Sequence, residues 1–442
     1  MSLKHSPQSS VIRGNFLDIT QTVTQANDIK NHVRYIEDGV MITCEGKITW
    51  FGTWDDGQPY LPQGVTVQHY PNELILPGFI DTHIHYPQTE MVGAYGEQLL
   101  NWLNTYTFPT ELKFKDKTYA DKIAAIFIQE LLKNGTTTAL VFGTVHPQSI
   151  DALFEEAEKF DMRLIAGKVM MDRHAPEELC DTAEQSYQDS KALIEKWHGK
   201  GRALYAITPR FAPTSTPEQL SKAGQLKQEF PDVYVHTHLS ENKDEIAWVK
   251  SLFPERKNYL DVYNYYGLTG NRSVFAHCVH LEEDEWQCMH QTDSAIAFCP
   301  TSNLFLGSGL FSLKQAWDKQ VKVGLGTDIG AGTSFSQLQT LNEAYKVQQL
   351  QGEKLSAFES LYHATLGGAK SLDLDDKLGN FNIGKEADCI VIQFNATALQ
   401  HLRQSEAKGI EDRLFALFTM GDDRNIHTTY IHGKIAYTQK PH

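Results

Sequence analysis

Two histidines, His83 and His85, lie two positions apart at the end of an apolar run over residues 74–84. Alternate side chains of a β-strand point to the same side, so the two imidazoles are expected to face one point. Neutral imidazole is the commonest protein ligand for metal ions such as zinc and iron. A pair of this kind also arises by chance, and only further ligands would distinguish a metal site from coincidence.

Later apolar runs end in residues of the same chemical types, namely His238, His277 and Asp328. Structural histidines would not be expected to collect at the same end of several strands, whereas metal ligands would. We therefore expect a metal site built from strand ends. In the strand that ends at His238, His236 lies on the same face but deeper, so we expect it to support the site from the core.

Glu241 follows His238 by three residues, at the start of a helix predicted over residues 241–252. A carboxylate at a helix N-terminus is stabilised by the helix dipole, which is a purely structural explanation of its position. A carboxylate beside a metal-activated water is also suited to carrying protons in general acid–base catalysis. Because a candidate ligand lies so near, we expect Glu241 to act in catalysis.

Other residues of these types fit the site less well. Lys168 suggests a carbamylated lysine that bridges two metal ions, but such a lysine is expected from the fourth strand, whose end at residues 207–210 contains none. One metal ion is therefore expected rather than two. Cys299 lacks the second cysteine and the His-x-Glu partner that belong to His/Cys/Cys zinc sites. Some histidines fall in loops, where they are expected to be solvated or to support the site indirectly: His146, His174 and His280.

The candidate ligands require strands that all point the same way. Apolar runs rich in β-branched residues alternate with helical patterns, and they cover residues 74–84, 137–142, 163–170, 203–208, 233–238, 273–277, 295–298 and 321–327. The clearest helical patterns span residues 118–133, 150–160 and 218–230. Strand–helix units repeated over about 300 residues are typical of a (β/α)8 barrel of the TIM type, whose active sites lie at the carboxyl ends of the strands. A doubly wound open sheet is the competing architecture.

Both ends of the chain read as β-structure. Short apolar runs separated by glycine-containing turns occupy residues 10–70, and similar pairs recur after residue 379. We therefore predict that residues 1–73 and residues 379–442 together form a small β-sandwich domain. Residues 74–378 are predicted to form the metal-dependent catalytic barrel.

The composition is that of a folded globular protein. Of 442 residues, 41% are hydrophobic, and 40 Lys+Arg against 55 Asp+Glu give a net charge of −15. This acidic excess argues against nucleic acids and anionic membranes as partners, because both attract clusters of Lys and Arg. No run approaches the roughly 20 apolar residues that a membrane helix needs. Six cysteines without a CxxC pair and a polar start over residues 1–10 predict a soluble cytoplasmic protein.

The motifs around the candidate ligands are similar in order and spacing to those of the amidohydrolase superfamily. They comprise residues 77–85, 238–241, 276–277 and 326–328. Residues 384–388 resemble the returning strand of that superfamily's small sandwich domain. More selective segments resemble the guanine deaminase family, and these are residues 85–88, Trp102 with residues 106–111, residues 209–211 and residues 240–245. The likeness covers the chain from about residue 12 to its end.

This resemblance implies a role for each matching residue. One zinc ion per subunit, with Fe(II) as a chemical alternative, would be held by His83, His85, His238 and Asp328. His277 would orient the hydrolytic water, and the other catalytic residues would be Glu241 and Asp328. The substrate guanine would contact a set of residues around the metal: His85, Gln88, Trp102, Arg210, Phe211, His238, Glu241 and Asp328.

The chemistry of three of these side chains suits a purine. Guanine presents two adjacent acceptors, O6 and N7, which the guanidinium of Arg210 can bridge with two hydrogen bonds. A structural ion pair with a carboxylate is the alternative explanation of this arginine. The amide of Gln88 offers a donor and an acceptor to the N1/N2/N3 edge of the base, and Phe211 can stack on the ring.

The implied reaction is the hydrolytic deamination of guanine to xanthine and ammonia, a step of purine catabolism or salvage. Zinc would lower the pKa of its water from about 15.7 to about 7. Asp328 would take the proton of that water and Glu241 would protonate N3, while hydroxide attacks C2. A homodimer is the family expectation. Two alternatives stay open: a related hydrolase of pterins, triazines or cytosine, and a non-catalytic scaffold, which would be expected to lose the ligands found here.

Overall fold

The computed structural model describes residues 8–95 and 99–440. The outer ends of the two predicted terminal segments, at residues 1 and 442, lie outside the described residues. Every residue that the sequence singled out as a candidate ligand or catalytic group lies within them.

The strands fall into two groups. Those built from the chain ends are β1 (Ser9–Ile19), β2 (Val33–Cys44), β3 (Lys47–Thr53), β4 (Val67–Pro77), β14 (Cys389–Ile392), β15 (Ile426–Ile431) and β16 (Lys434–Thr438). Those from the middle of the chain are β5 (Phe79–His85), β6 (Thr136–Phe142), β7 (Arg163–Gly167), β8 (Val169–Met170), β9 (Ala203–Pro209), β10 (Tyr234–Leu239), β11 (Ser273–His277), β12 (Ala295–Phe298) and β13 (Lys322–Leu325).

Helices connect most of the central strands, and other helices lie before β4, between β13 and β14, and after β14. They are α1 (Trp54–Gly57), α2 (Leu99–Trp102), α3 (Phe108–Glu111), α4 (Lys117–Lys133), α5 (Pro147–Glu158), α6 (Ala183–Trp197), α7 (Pro217–Glu229), α8 (Lys243–Leu252), α9 (Tyr259–Tyr265), α10 (Glu283–Gln291), α11 (Pro300–Phe305), α12 (Leu313–Asp318), α13 (Gln337–Leu350), α14 (Ala357–Ala364), α15 (Leu366–Ser371), α16 (Ala398–Ser405) and α17 (Ile410–Met420). A π-helical turn over Leu103–Thr107 joins α2 to α3, and 3-10 turns include Tyr86–Met91 directly after β5.

Local sequence explains where the long helices begin and end. Asp116 caps α4 by accepting a hydrogen bond from the Thr118 amide, and Thr216 caps α7 ahead of Pro217, a residue suited to the first helical position. α4 ends at Lys133, and Gly135 follows with a φ of 77°. Glycine reaches this left-handed conformation readily, so it turns the chain back into β6.

The central strands form a nearly closed parallel barrel. Their order is β5-β6-β7-β9-β10-β11-β12-β13, with the short β8 paired to β9. The circle is completed just beyond β13, where the Asp328 amide donates to the His83 carbonyl at 2.9 Å and the His85 amide donates to the Ile329 carbonyl at 2.9 Å. The predicted (β/α)8 barrel is therefore confirmed, and the open doubly wound sheet is wrong for this chain.

The barrel interior is filled by alternate residues of its strands, as the period of two in a strand requires. One buried apolar cluster inside it includes Ile80, Leu140, Ile165, Ala206, Tyr234 and Val274. Ala369 and Leu372 join the same cluster from α15 and the turn after it. This packed floor leaves the carboxyl ends of the strands as the open face of the barrel.

The chain ends build a separate mixed sheet in the order β16-β15-β14-β4-β1-β2-β3. The sequence predicted one strand over residues 74–84, but the structure divides it at Gly78 into β4 of this sheet and β5 of the barrel. A Cβ at Gly78 would lie 2.0 Å from Thr137 Oγ1, so only glycine fits where the chain passes between the two sheets.

A buried ion network ties the two sheets together. Arg202, which precedes β9, donates to Glu386 at 2.5 Å and to Asp388 at 2.5 Å, and Arg163 of β7 also donates to Glu386 at 3.0 Å. Both carboxylates precede β14.

Among the described residues, no helix is both long and apolar enough to cross a membrane.

Candidate active site

Four of the predicted ligands converge at the open face of the barrel. His83 and His85 come from the end of β5, His238 from the end of β10, and Asp328 from the loop after β13. His83, His85 and Asp328 are buried, and His238 is partly buried. The expectation that these strand ends meet at one point is therefore met by the geometry.

The distances among these four side chains are those of ligands around a common centre. His83 Nε2 lies 3.1 Å from Asp328 Oδ1, and His85 Nε2 lies 3.3 Å from the same oxygen. His85 Nε2 is also 3.2 Å from His83 Nε2 and 3.2 Å from His238 Nε2. Zinc binds nitrogen and oxygen at about 2.0–2.2 Å, so atoms that share one ion lie no more than about 4.4 Å apart. The donor set fits one such ion.

The imidazoles are also in the right chemical form to bind a cation. Burial lowers the pKa of His83, His85 and His238, to about 3 for His85, so the rings are neutral at physiological pH. The Nδ1 of His238 donates to the Arg210 carbonyl at 2.7 Å. This bond places the ring proton on Nδ1 and leaves the Nε2 lone pair directed at the centre.

His236 lies beneath the cluster, as the sequence predicted. Its Nε2 is 2.8 Å from His83 Nδ1, and its own Nδ1 has no hydrogen-bond partner among the described residues. If His83 binds through Nε2, its Nδ1 carries the proton and donates it to His236. His236 thus supports a ligand of the cluster and is not itself directed at the centre.

His277 stands beside the cluster with its ring fixed from behind. Its Nδ1 donates to Asn303 Oδ1 at 2.9 Å, and its Nε2 lies 3.5 Å from Glu241 and 3.8 Å from Asp328. The ligand atoms of His83, His238 and His277 all lie within 4.8 Å of one another. His277 and Asp328 both have left-handed backbones, with φ of 72° and 51°, a strained conformation that concentrates at functional sites.

Glu241 occupies the turn between β10 and α8. The sequence predicted a helix from residue 241, but α8 begins at Lys243 with Asn242 as its cap, so Glu241 is not part of the first helical turn. Its side chain is 2% exposed and accepts a hydrogen bond from Ser308 Oγ at 3.1 Å. Burial, reinforced by the nearby Asp328 carboxylate, raises the pKa of Glu241 to about 8. Glu241 thus lies outside the helix, and a carboxyl group with this pKa is mostly protonated at neutral pH.

Glu245 holds the turn that carries Glu241. Its Oε2 accepts from the backbone amides of Glu241 and Asn242 at 3.0 and 3.1 Å, and its Oε1 accepts from the Tyr259 hydroxyl at 2.8 Å. The bond from the Asn242 amide is one half of a capping box at the start of α8. Burial and the neighbouring Glu241 raise the pKa of Glu245 to about 7.

A cavity opens directly onto this cluster. Most of the predicted site residues line it: His85, Gln88, Trp102, Arg210, Phe211, His238, Glu241, His277 and Asp328. His83 lies behind its wall and is fully buried. The structure thus brings the predicted metal ligands, proton carriers and substrate contacts into one place.

Arg210 lies directly after β9 and makes a buried ion pair. Its Nη1 donates to both oxygens of Glu111, at 3.0 and 2.9 Å. The structural ion pair that the sequence left open is therefore present. It engages a single nitrogen of the guanidinium, and the side chain still lines the cavity.

The remaining candidates lie off the cluster or beside it. Lys168 is fully buried, and its Nζ pairs with Asp181 and donates to the Val169 carbonyl at 3.2 Å. Cys299 was not expected from the sequence to be a ligand, yet its Sγ lies within 4.8 Å of ligand atoms of His83 and Asp328. Burial raises the pKa of its thiol well above the usual range, so it is neutral beside the cluster.

The loop histidines make ordinary contacts to backbone carbonyls or none. His174 Nδ1 donates to the Pro213 carbonyl at 2.7 Å, and His146 Nε2 has no partner among the described residues. His280 Nε2 donates to the carbonyl of Ser308 at 2.7 Å, so it supports the residue that contacts Glu241.

Some residues of the site were missed or given no role in the sequence analysis. The cavity wall also includes Leu99, Leu103, Glu245, Leu306 and Ala331. Ser308 and Asn303 contact Glu241 and His277, but they come from a loop and a short helix without a recognisable pattern. Glu111 falls in a segment that resembles a known family, and this was the one signal that could have identified it.

Comparisons with known proteins agree with this geometry. Residues 74–436 match the pattern of the amidohydrolase family. The chain is 62% identical over 437 residues to guanine deaminase of Escherichia coli K12, with 99% of each chain covered. The solved E. coli guanine deaminase superposes with a TM-score of 0.95 at 60% identity, covering 98% of this chain and 100% of that one. The crystal structure of guanine deaminase from C. acetobutylicum with bound guanine in the active site gives a TM-score of 0.87 at 31% identity, covering 97% and 100%.

Proposed function

The chain belongs to the amidohydrolase family, and we propose that it is a guanine deaminase, which hydrolyses guanine to xanthine and ammonia. The observation that carries this proposal is one buried cavity in which Gln88 and Arg210 face the same space as the imidazole–carboxylate cluster. A planar base bound by Gln88 and Arg210 would place one of its edges against the imidazole–carboxylate cluster. The similarity to guanine deaminases over 99% of the chain supports the same activity.

We assign the metal to His83, His85, His238 and Asp328, with one zinc ion per subunit as the resident cation. A zinc ion bound to such ligands supplies a water whose pKa is about 7 in place of about 15.7. Three imidazoles and a carboxylate suit zinc, and Fe(II) is the chemical alternative. The fit of the ligand spacing described above supports this assignment.

Two carboxyl groups, one ionised and one protonated, each carry out one of the proton transfers. Asp328 Oδ1 lies 3.1 Å from His83 Nε2 and 3.3 Å from His85 Nε2, and a carboxyl group must be deprotonated to bind a cation among such ligands. Asp328 is therefore ionised and accepts the proton of the attacking water. Glu241, whose pKa is about 8, is protonated and donates to N3 of the base.

His277 orients the water for attack. Because its Nδ1 proton is directed to Asn303, a neutral His277 presents an Nε2 lone pair on the side of Glu241 and Asp328. An O–H of the water can donate to that lone pair. The water oxygen then adds to C2. Asp328 passes the proton it has taken to the amino group, which leaves as ammonia, and the hydroxyl on C2 returns a proton to Glu241, so that the product is xanthine.

The remaining substrate contacts follow from the cavity wall. The free edges of Gln88 and Arg210 can pair with the polar edges of guanine, and Phe211 and Trp102 supply aromatic surface for the ring. We assign these residues, with His85 and His238, to substrate binding.

The proposal also covers the oligomeric state, the location and the metabolic role of the protein. We propose a homodimer, a cytoplasmic location and a place in purine catabolism or salvage. The cysteines support a reducing compartment, since all six are free within the described residues.

A panel of heterocyclic amines tests the assignment of substrate. The metal-loaded protein should release ammonia from guanine at least about 100-fold faster than from cytosine, a pterin or an aminotriazine, because a site built to pair polar groups rejects analogues that leave them unpaired. Preferred turnover of any of the other compounds would assign the site to a different hydrolase of the family.

A further inference from the structure

Glu111 contacts both of the polar side chains that face the substrate cavity. It is the last residue of α3 and is fully buried. Its Oε1 accepts from Gln88 Nε2 at 3.3 Å and from Arg210 Nη1 at 3.0 Å, and its Oε2 accepts from the same Nη1 at 2.9 Å. One carboxylate thus joins the turn after β5 to the residue that follows β9.

The contact with Glu111 determines which way the amide of Gln88 points. Gln88 Nε2 donates to Glu111, while Gln88 Oε1 accepts from the Gly330 amide at 3.1 Å. A flipped amide would place its oxygen against the carboxylate and its NH₂ group against the N–H of Gly330. Both contacts would then be repulsive, so the orientation is fixed. One N–H and one lone pair of the amide remain for the cavity.

The contact of Glu111 with Arg210 likewise determines which edge of the guanidinium stays free. A guanidinium carries five N–H donors in a planar fork, and Glu111 engages Nη1 alone. Nε and Nη2 have no hydrogen-bond partner among the described residues, and they form the edge that can bind two adjacent acceptors. Phe108, three residues before Glu111 in α3, lies with its ring centroid 5.6 Å from Arg210 Cζ. α3 therefore contacts both the end and the face of the guanidinium.

A buried carboxylate is required for this arrangement. A neutral amide in its place has one acceptor and one donor group, so it cannot accept from Gln88 and Arg210 through two oxygens. It would turn its own NH₂ group toward one of the two N–H donors. One of the two substrate-facing side chains would lose its fixed orientation.

We propose that Glu111 is a positioning residue that determines which edges of Gln88 and Arg210 face the substrate. The proposal rests on the function proposed above, in which these two side chains bind the purine. Glu111 acts through its two partners and does not itself touch the base. A purely structural Glu111 would instead hold α3 in place and have no influence on which purines bind.

The test compares Glu111→Gln with the parent in the zinc-loaded protein. KM for guanine should rise about tenfold with kcat changed less than about threefold, which corresponds to about 1.4 kcal/mol of lost binding. Two competitive inhibitors are compared: hypoxanthine, which carries O6, and purine, which lacks it. The inhibition constant of hypoxanthine should rise with KM, and that of purine should change by less than about threefold.

Glu359→Gln is the matched control. Glu359 is also buried and accepts a hydrogen bond, from Trp317 Nε1 at 2.9 Å, but it belongs to α14 and does not line the substrate cavity. It should leave the ratio of the two inhibition constants unchanged, whatever its effect on the unfolding temperature. Equal losses for hypoxanthine and purine in Glu111→Gln would overturn the proposal.

A crystal structure of the zinc-loaded parent with xanthine provides a test that does not depend on the folding of a variant. Arg210 Nη1 and Gln88 Nε2 should remain bonded to Glu111 while Nη2 or Nε of the arginine contacts the base. A structure in which Arg210 leaves Glu111 to reach xanthine would overturn the proposal. A parent that does not turn over guanine at all would refute the proposed function, and this outcome is distinct from either result for Glu111.

Discussion

The Nδ1 of His83 lies 2.8 Å from Nε2 of His236, a fully buried histidine whose other ring nitrogen has no partner among the described residues. The ring of a proposed metal ligand is thus oriented by a second imidazole. Partners of this kind fix the tautomer of the ligand and raise its basicity, and their loss typically weakens metal binding 10- to 100-fold.

His236→Ala should therefore lower the affinity for zinc by about 10- to 100-fold, measured by competition with a chelator. His236→Gln should recover part of this loss, because its side-chain oxygen can accept from His83 Nδ1. The control is His363→Ala, which removes a buried histidine bonded to the Val323 carbonyl at 3.1 Å. An equal loss of zinc affinity in both alanine variants would contradict a specific role for His236.

Glu241→Gln should reduce the rate of deamination by about 10²- to 10⁴-fold while zinc stays bound, because the amide keeps the shape but carries no transferable proton. Steady-state rates and metal analysis of the same sample check both parts. Ser308→Ala, which removes the donor to Glu241 at 3.1 Å, should have a much smaller effect. Loss of the metal from Glu241→Gln would show that this residue is a ligand.

Arg210→Ala should lower kcat/KM for guanine by roughly 5- to 150-fold, the equivalent of a bidentate contact to O6 and N7. The effect on 2-aminopurine, which has no O6, should be small. Lysine at this position should rescue only partly, since it lacks the planar fork. An equal proportional loss for both substrates would show that Arg210 maintains the fold and does not recognise O6.

The ion pair adds a second expectation for this variant. Removal of Arg210 leaves Glu111 as a buried carboxylate without its cation, which costs about 3–5 kcal/mol of stability. The double variant Arg210→Ala/Glu111→Gln should recover most of the unfolding temperature but not the activity on guanine. Calorimetry and kinetics on the same preparations separate the two effects.

Glu386→Gln should destabilise the protein in a pH-dependent way. Burial opposes the ionisation of Glu386, but Arg202 and Arg163 outweigh it and lower its pKa to about 2 from an ordinary 4.5. The stabilisation is therefore fully present above pH about 4.5 and is lost as the pH falls toward 2, with a total of about 3 kcal/mol. The gap in unfolding temperature between parent and variant should be constant at neutral pH and narrow below pH about 4.5.

The control for this titration is Glu158→Gln, since Glu158 is exposed and pairs with Lys200 at the surface. Such pairs contribute little, so the unfolding temperature should barely change at any pH. A gap for Glu386→Gln that stays constant down to pH 2 would contradict the depressed pKa.

Strand periodicity was sufficient to predict the barrel and the meeting of His83, His85, His238 and Asp328, because a period of two fixes the face of each side chain and a parallel barrel fixes the shared end. It could not locate Gly78, where one apolar run passes from one sheet to another. The reason is that residues 74–77 at the end of β4 and all of β5 are buried, and the constraint comes from Thr137, which is distant in sequence.

The helix start after β10 shows a similar limit. Residues 241–245 contain two glutamates, and the capping box uses Glu245, which frees Glu241 for the cavity. The sequence pattern alone did not distinguish them. Contacts between loops, such as that of Ser308 with Glu241, depend on tertiary packing and leave no periodic signal.

The most direct test of the account is the conversion of guanine to xanthine, followed by absorbance with ammonia and metal measured in the same sample. The full-length protein with one zinc ion per chain should form xanthine and ammonia in equal amounts. Removal of the metal by a chelator should abolish the activity and added zinc should restore it, whereas His238→Ala should recover neither metal nor activity. Xanthine formation at the parent rate by metal-free protein, or no turnover of guanine by the zinc-loaded protein, would contradict the account.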